Sequence, residues 1–142
     1  MSAEENKAIV RRAIEEGWNQ GNLAVFDEMN APEYVDHAAI PGQGPGAEGY
    51  THAVQMTRAA FPDLHLTIDD MIAEGDRVVT RWTARGTHQG EYFGIPATGK
   101  PVEVTGINIG RIVNGKVVEN WQNSDQLGLM QQLGVIPAPG QG

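Results

Sequence analysis

The chain contains no cysteine, which removes disulfide frameworks, thiolate nucleophiles and Cys-based zinc or iron–sulfur sites from consideration. Basic residues are also scarce, with ten Lys and Arg against eighteen Asp and Glu, a formal net charge of −8. Phosphate recognition needs clustered cations, so nucleic acids and anionic membranes are poor partners. No apolar run approaches the roughly 20 residues of a membrane-spanning helix. The first seven residues are polar and acidic where a secretion signal is basic and then apolar. The expectation is a soluble cytoplasmic protein. Four histidines, His37, His52, His65 and His88, stand far apart, without the short spacings that build a metal site on one helix or hairpin. No serine sits in a Gly-x-Ser-x-Gly elbow, and no glycine-rich loop leads into a helix as a phosphate cradle would.

What is present reads as one domain, residues 1–142, with a flexible tail over 137–142. A chain of 142 residues can bury roughly two thirds of its unfolded surface around a single core. Val10, Ile14 and Trp18 recur at four-residue spacing, one stripe of an amphipathic helix from about Ala3 to Gln20. A shorter helix through Leu23, Phe26 and Met29 follows, stopping near Pro32, and Tyr34 to His37 is a short extended piece. A third helix spans Ala47 to Phe61, where Pro62 stops it.

Beyond Pro62 the period changes to two. Leu64 to Ala73, Arg77 to His88, Val102 to Val113 and Val117 to Asp125 are predicted strands, and Asn114-Gly115 marks a type I′ hairpin turn. The Gly- and Pro-rich stretch Gly86 to Lys100 is a long excursion between strands. A last helix covers Leu127 to Leu133, with Gly134 as its left-handed terminator. Helices followed by long antiparallel strands indicate an α+β fold, a curved sheet wrapped over helices like a cone with an open mouth.

The chemistry concentrates at the end of the last strand. Side chains alternate along a strand, so Val117, Glu119, Trp121, Asn123 and Asp125 are expected on one face, a mixture suited to a pocket wall. Asp125 has two readings that do not exclude each other. Either it or Ser124 caps the final helix, or it works as a base, made stronger at neutral pH by partial desolvation beside Trp121. Trp82 and Trp121 suit a core or a wall, and Arg81 and Arg111 suit pairing, with Glu119 as a partner. His37 ends the extended piece and His88 ends a strand at the loop mouth, where each could line the opening or lie on the surface.

Tyr34-Val35-Asp36-His37, Phe61-Pro62-Asp63-Leu64, Gly86-Thr87-His88-Gln89-Gly90, Gly94-Ile95-Pro96-Ala97-Thr98-Gly99-Lys100 and Glu119-Asn120-Trp121 through Asp125, in this order and spacing, resemble the SnoaL-like polyketide cyclases, also called ester cyclases. The resemblance implies a nuclear-transport-factor-two-like cone, a homodimer or homotetramer through its open sheet face, and a small hydrophobic or aromatic ligand. It also implies an intramolecular aldol condensation of an aromatic polyketide ester by a single aspartate acting as acid and base, without metal or cofactor. On this resemblance the matching position is Asp125. His37, His88, Trp121, Asn123 and Glu119 are pocket candidates from strand geometry and loop position. The cone also hosts other chemistry, so a hydrolase, isomerase or dehydratase of a small hydrophobic substrate stays open, as does a non-catalytic binder.

Overall fold

Ser2 starts the first helix with a reciprocal cap: its hydroxyl accepts from the Glu5 backbone N–H, and the Glu5 carboxylate takes the Ser2 N–H. The computed structural model describes residues 2–137, so the expected flexible tail lies outside the described residues except for Pro137. Helix α1 (Ala3–Arg12) runs without a break into a wider π-helical segment, Ala13–Asn19. Helix α2 (Ala24–Met29) turns back beneath it, and Gly17 leaves room for the ring of Phe26. Helix α3 (Gly46–Ala60) completes the helical layer, packing Val54 against Val25, Phe26 and Met29.

The sheet comprises β1 (Asn30–Asp36), β2 (His65–Glu74), β3 (Arg77–Thr87), β4 (Pro101–Val113) and β5 (Lys116–Ser124), in the order β1-β5-β4-β3-β2. The four long strands pair antiparallel, whereas β1 joins β5 in parallel. The expected short extended piece is thus a full edge strand, and Pro32 is tolerated because an edge strand leaves backbone donors unpaired. Asn114 and Gly115 both have positive φ, 51° and 77°, as the β4–β5 turn requires. Helix α4 (Gln126–Gln132) follows β5, and Gly134 ends that segment at φ 80°.

The sheet has three register breaks, one in the β1–β5 pairing between Asn30 and Val35 and two single-residue bulges in the long strands. One residue is inserted at Asp69 in β2 and one at Val118 in β5, and such bulges bend a strand and increase its twist. The concave face meets the helices. Val10, Ile14, Phe61, Leu66, Val78, Trp82, Val104 and Leu129 form the main core there. Gly106 on β4 leaves space for the Trp82 indole.

The bulge at Val118 changes which residues of β5 look inward. Val117 opposes Ile112 on the concave face, but Glu119 opposes Arg111 on the outer one. From there Asn120, Gln122 and Ser124 face inward, while Glu119, Trp121 and Asn123 face out. The expected single face through Val117, Glu119, Trp121, Asn123 and Asp125 is therefore split by one inserted residue.

Candidate active site

Between the helices and the concave face lies a cavity of about 210 Å³. Trp18, Phe26, Tyr50 and Val54 form its helical wall, and Trp82, Val104, Asn108, Asn120 and Gln122 its sheet wall. Ala38, Ile40 and Gln43 on one side, with the exposed Gln122 and Gln126 on the other, mark the mouth. The mouth exists because β1 stops at Asp36 while β5 continues to Ser124. Its last backbone tie is His37 N–H to the Asn120 carbonyl, 2.8 Å.

Asp36 is the one carboxylate among the lining residues. Its Oδ1 accepts from the Ala38 N–H at 3.0 Å and from the Asn120 amide at 3.2 Å, and its Oδ2 accepts from Gln43 Nε2 at 2.9 Å. A carboxylate offers about four acceptor positions, so one is left for a ligand. Gln43 reaches Asp36 from a compact turn. Its N–H donates to the Ile40 carbonyl at 3.0 Å, with Gly42 at φ 83° in between, which is the geometry of Pro-Gly in a type II turn. Asn108 in turn donates to the Asn120 carboxamide oxygen.

Two tyrosines flank this carboxylate. Tyr34 sits two residues before Asp36 on β1, and Tyr50 comes from α3, their ring centroids 5.7 Å apart. Trp18 Nε1 donates to the Tyr50 hydroxyl at 3.0 Å. Burial pushes both phenols well above the usual tyrosine range, and the nearby Asp36 charge adds to the effect. Both therefore remain protonated donors at neutral pH.

The six residues singled out from the sequence lie elsewhere. Asp125 is exposed and caps α4, its Oδ1 accepting from the Gly128 N–H at 2.9 Å; it is not part of the cavity wall. Glu119 holds Arg111 at 2.6 Å and His37 at 2.8 Å on the outer face. The His37 hydrogen bond, then that of Arg111, keeps the Glu119 carboxyl below its usual range. His37 stacks on Trp121 at 4.9 Å, Arg77 lies 5.3 Å from the same indole, and Asn123 is exposed. His88 is fully buried, its ring 5.4 Å from that of Phe61. Its Nδ1 lies 3.0 Å from Thr98 Oγ1 and accepts from the Thr98 N–H at 3.3 Å, closing the long excursion on itself. Among the described residues no three His, Asp or Glu side chains converge as metal ligands would.

Sequence reasoning passed over Asp36, Tyr34, Tyr50, Asn120 and Gln122. A usable signal existed in the polar alternation Asn120, Gln122, Ser124 and in the Tyr34/Asp36 pair at strand spacing.

The pattern of the family described as "SnoaL-like polyketide cyclase" matches residues 8–133. Aklanonic acid methyl ester cyclase DnrD of Streptomyces peucetius is 31% identical over 129 residues, 89% of this chain and 88% of that protein. Nogalonic acid methyl ester cyclase of Streptomyces nogalater is 28% identical, covering 82% and 89%. The structure of TsrD from Streptomyces laurentii superimposes with a TM-score of 0.87 at 32% identity, covering 96% of this chain and 99% of that one. Two of these relatives are cyclases by name, which points to an enzyme. With the family pattern spanning most of its length and a named cyclase 31% identical across 89% of it, this chain belongs to the SnoaL-like polyketide cyclase family.

Proposed function

We propose that this protein closes a ring in a polyketide ester by an intramolecular aldol condensation, with Asp36 as the acid and base. The carrying observation is that a mostly aromatic and aliphatic cavity contains a single carboxylate, at its mouth, with one acceptor position open. Asp36 takes the proton from the carbon next to the ester carbonyl. The resulting enolate carbon bonds to a ketone carbon of the same molecule, and the new alkoxide takes the proton back from Asp36. The product is an isomer of the substrate, so nothing leaves and no electrons are exchanged.

Electrostatics favours an ester over the free acid. Arg85 reaches the lining but is bound to Glu103 at 2.5 Å and largely exposed, so among the described residues the cavity has no free cation to receive a carboxylate. A free acid would meet Asp36 as a like charge in a poorly solvated space, whereas a methyl ester meets no such repulsion. The two cyclase relatives are named for methyl esters, in keeping with this reading.

Deuterium wash-in from heavy water at the activated carbon of an aromatic β-keto ester, followed by NMR, tests the assignment. Wild type and Asp125→Asn are expected to exchange the proton at similar rates, while Asp36→Asn falls by about 10²-fold or more, as loss of a general base does. Undiminished exchange in Asp36→Asn would refute it, and loss in Asp125→Asn would return the role to the helix cap. Ligand binding without exchange in any variant would favour a binding protein.

A further inference from the structure

Among the described residues the hydroxyl protons of Tyr34 and Tyr50, beside Asp36 in the cavity lining, meet no protein acceptor. The Tyr50 oxygen accepts from Trp18 Nε1 at 3.0 Å, which fixes the phenol and leaves its O–H to donate. The Tyr34 ring is packed against that of Tyr50, centroids 5.7 Å apart, and Asn120, which also lines the cavity, donates its amide to Asp36 Oδ1 at 3.2 Å. Among the described residues no protein acceptor takes either phenol proton, and both rings line the cavity. Tyr34 and Asp36 stand two residues apart on one face of β1, and Tyr50 lines the same cavity. The arrangement is a carboxylate with two neutral donors around one space, Tyr50 held by the Trp18 N–H and Tyr34 by packing against Tyr50.

We propose that Tyr34 and Tyr50 together form an oxyanion site for the enolate that Asp36 generates. The inference rests on the reading of Asp36 as the base. When Asp36 removes the proton, the C–H electron pair moves into the new carbon–carbon double bond and the carbonyl π pair moves onto oxygen. That oxygen gains its charge in a cavity with no free cation among the described residues, where two preoriented O–H donors act strongly because they need no reorganisation. When the enolate carbon attacks the second carbonyl, the charge passes to the new alkoxide, which Asp36 then protonates. Such a site widens the substrate class. It accepts β-keto esters and ketones whose carbanion is not spread over fused aromatic rings, not only the most acidic conjugated esters.

The test pairs exchange kinetics with a charged mimic. Tyr34→Phe and Tyr50→Phe should each slow deuterium exchange into a simple aliphatic β-keto ester by about 10²-fold, the scale for removing one oxyanion donor. The loss should be smaller for a highly conjugated ester. Tyr50→Phe leaves the Trp18 N–H unpaired, so thermal melts accompany each variant, and a second measurement avoids dependence on catalysis. In Asp36→Asn, where no carboxylate opposes an anion, bound 2-naphthol should ionise at lower pH than free naphthol, and Tyr34→Phe should erase that difference. A folded double Phe variant exchanging at the wild-type rate would overturn the proposal. So would bound naphthol that ionises as it does in water. Exchange that survives Asp36→Asn alone removes the base assignment, and the naphthol result still decides the two phenols.

Discussion

At the residue scale the decisive contrast is between two aspartates. Asp36 ends β1 and Asp125 directly follows β5, but only Asp36 lines the cavity, and the difference comes from the helix that follows β5. A carboxylate at a helix start is drawn to the free backbone N–H groups there, and Gly128, which has no side chain to obstruct it, lets Asp125 close that contact. Asp125→Ala is therefore expected to lower stability by about 1 kcal/mol, and Asp125→Asn by a few tenths, since Asn caps nearly as well. Denaturant melts of both variants would check this, with deuterium exchange unchanged in either. The capping reading was legible in the sequence. The place of Asp36 in the cavity lining was not, because it is recognisable only once β1 is known to be a strand beside β5.

At the element scale, one inserted residue decided what the sequence could not. Strand existence, the Asn114-Gly115 turn and the Gly134 stop all follow from local chemistry and agree with the structure. A bulge has no local signature in Val117-Val118-Glu119. It moved Trp121 and Glu119 to the outer face and brought Asn120 and Gln122 to the cavity. His88 shows a similar limit. A histidine at a loop mouth looks accessible, but the loop folds back over it and the backbone closes at His88 N–H to the Lys100 carbonyl, 2.9 Å.

The segment between α3 and β2 offers a test of how that region is tied. The Asp63 carboxylate accepts the Thr87 N–H at 2.7 Å and the Thr87 hydroxyl at 2.8 Å, joining the end of α3 to the end of β3. The backbone hydrogen bond first, and the hydroxyl second, hold its carboxyl below the usual aspartate value. A group depressed in the folded state stabilises the fold above its unfolded pKa and loses that contribution as pH falls through its folded pKa. The melting-temperature gap between wild type and Asp63→Ala should thus be constant from about pH 7 to 5 and narrow below about pH 4. A gap that stays the same down to pH 3 would mean the tie is not electrostatic.

At the scale of the whole molecule, the inner face of the sheet is covered by its own helices, while among the described residues no helix covers the outer face. Across that face the register aligns Ile72, Val79, Ile109 and Trp121 in one row, and Ile72 and Ile107 are 60% and 50% exposed. An apolar stripe of this kind on a sheet marks an association surface. The flanking row runs Glu74, Arg77, Arg111, Glu119 across the strands, acidic at both ends and basic between. A second copy turned by a two-fold axis would lay apolar stripe on apolar stripe, the isologous contact of a closed dimer. The protein is therefore expected to be a homodimer through this face, which would leave both cavity mouths free, since Gln43 and Gln122 belong to the inner side. Light scattering on wild type should give twice the chain mass, and Ile72→Glu with Ile107→Glu should halve it while a single chain's melt and its exchange activity persist. A monomeric wild type would show instead that Trp121, with His37 stacked on it at 4.9 Å and Arg77 5.3 Å away, is sheltered well enough by its own neighbours for the stripe to remain in water.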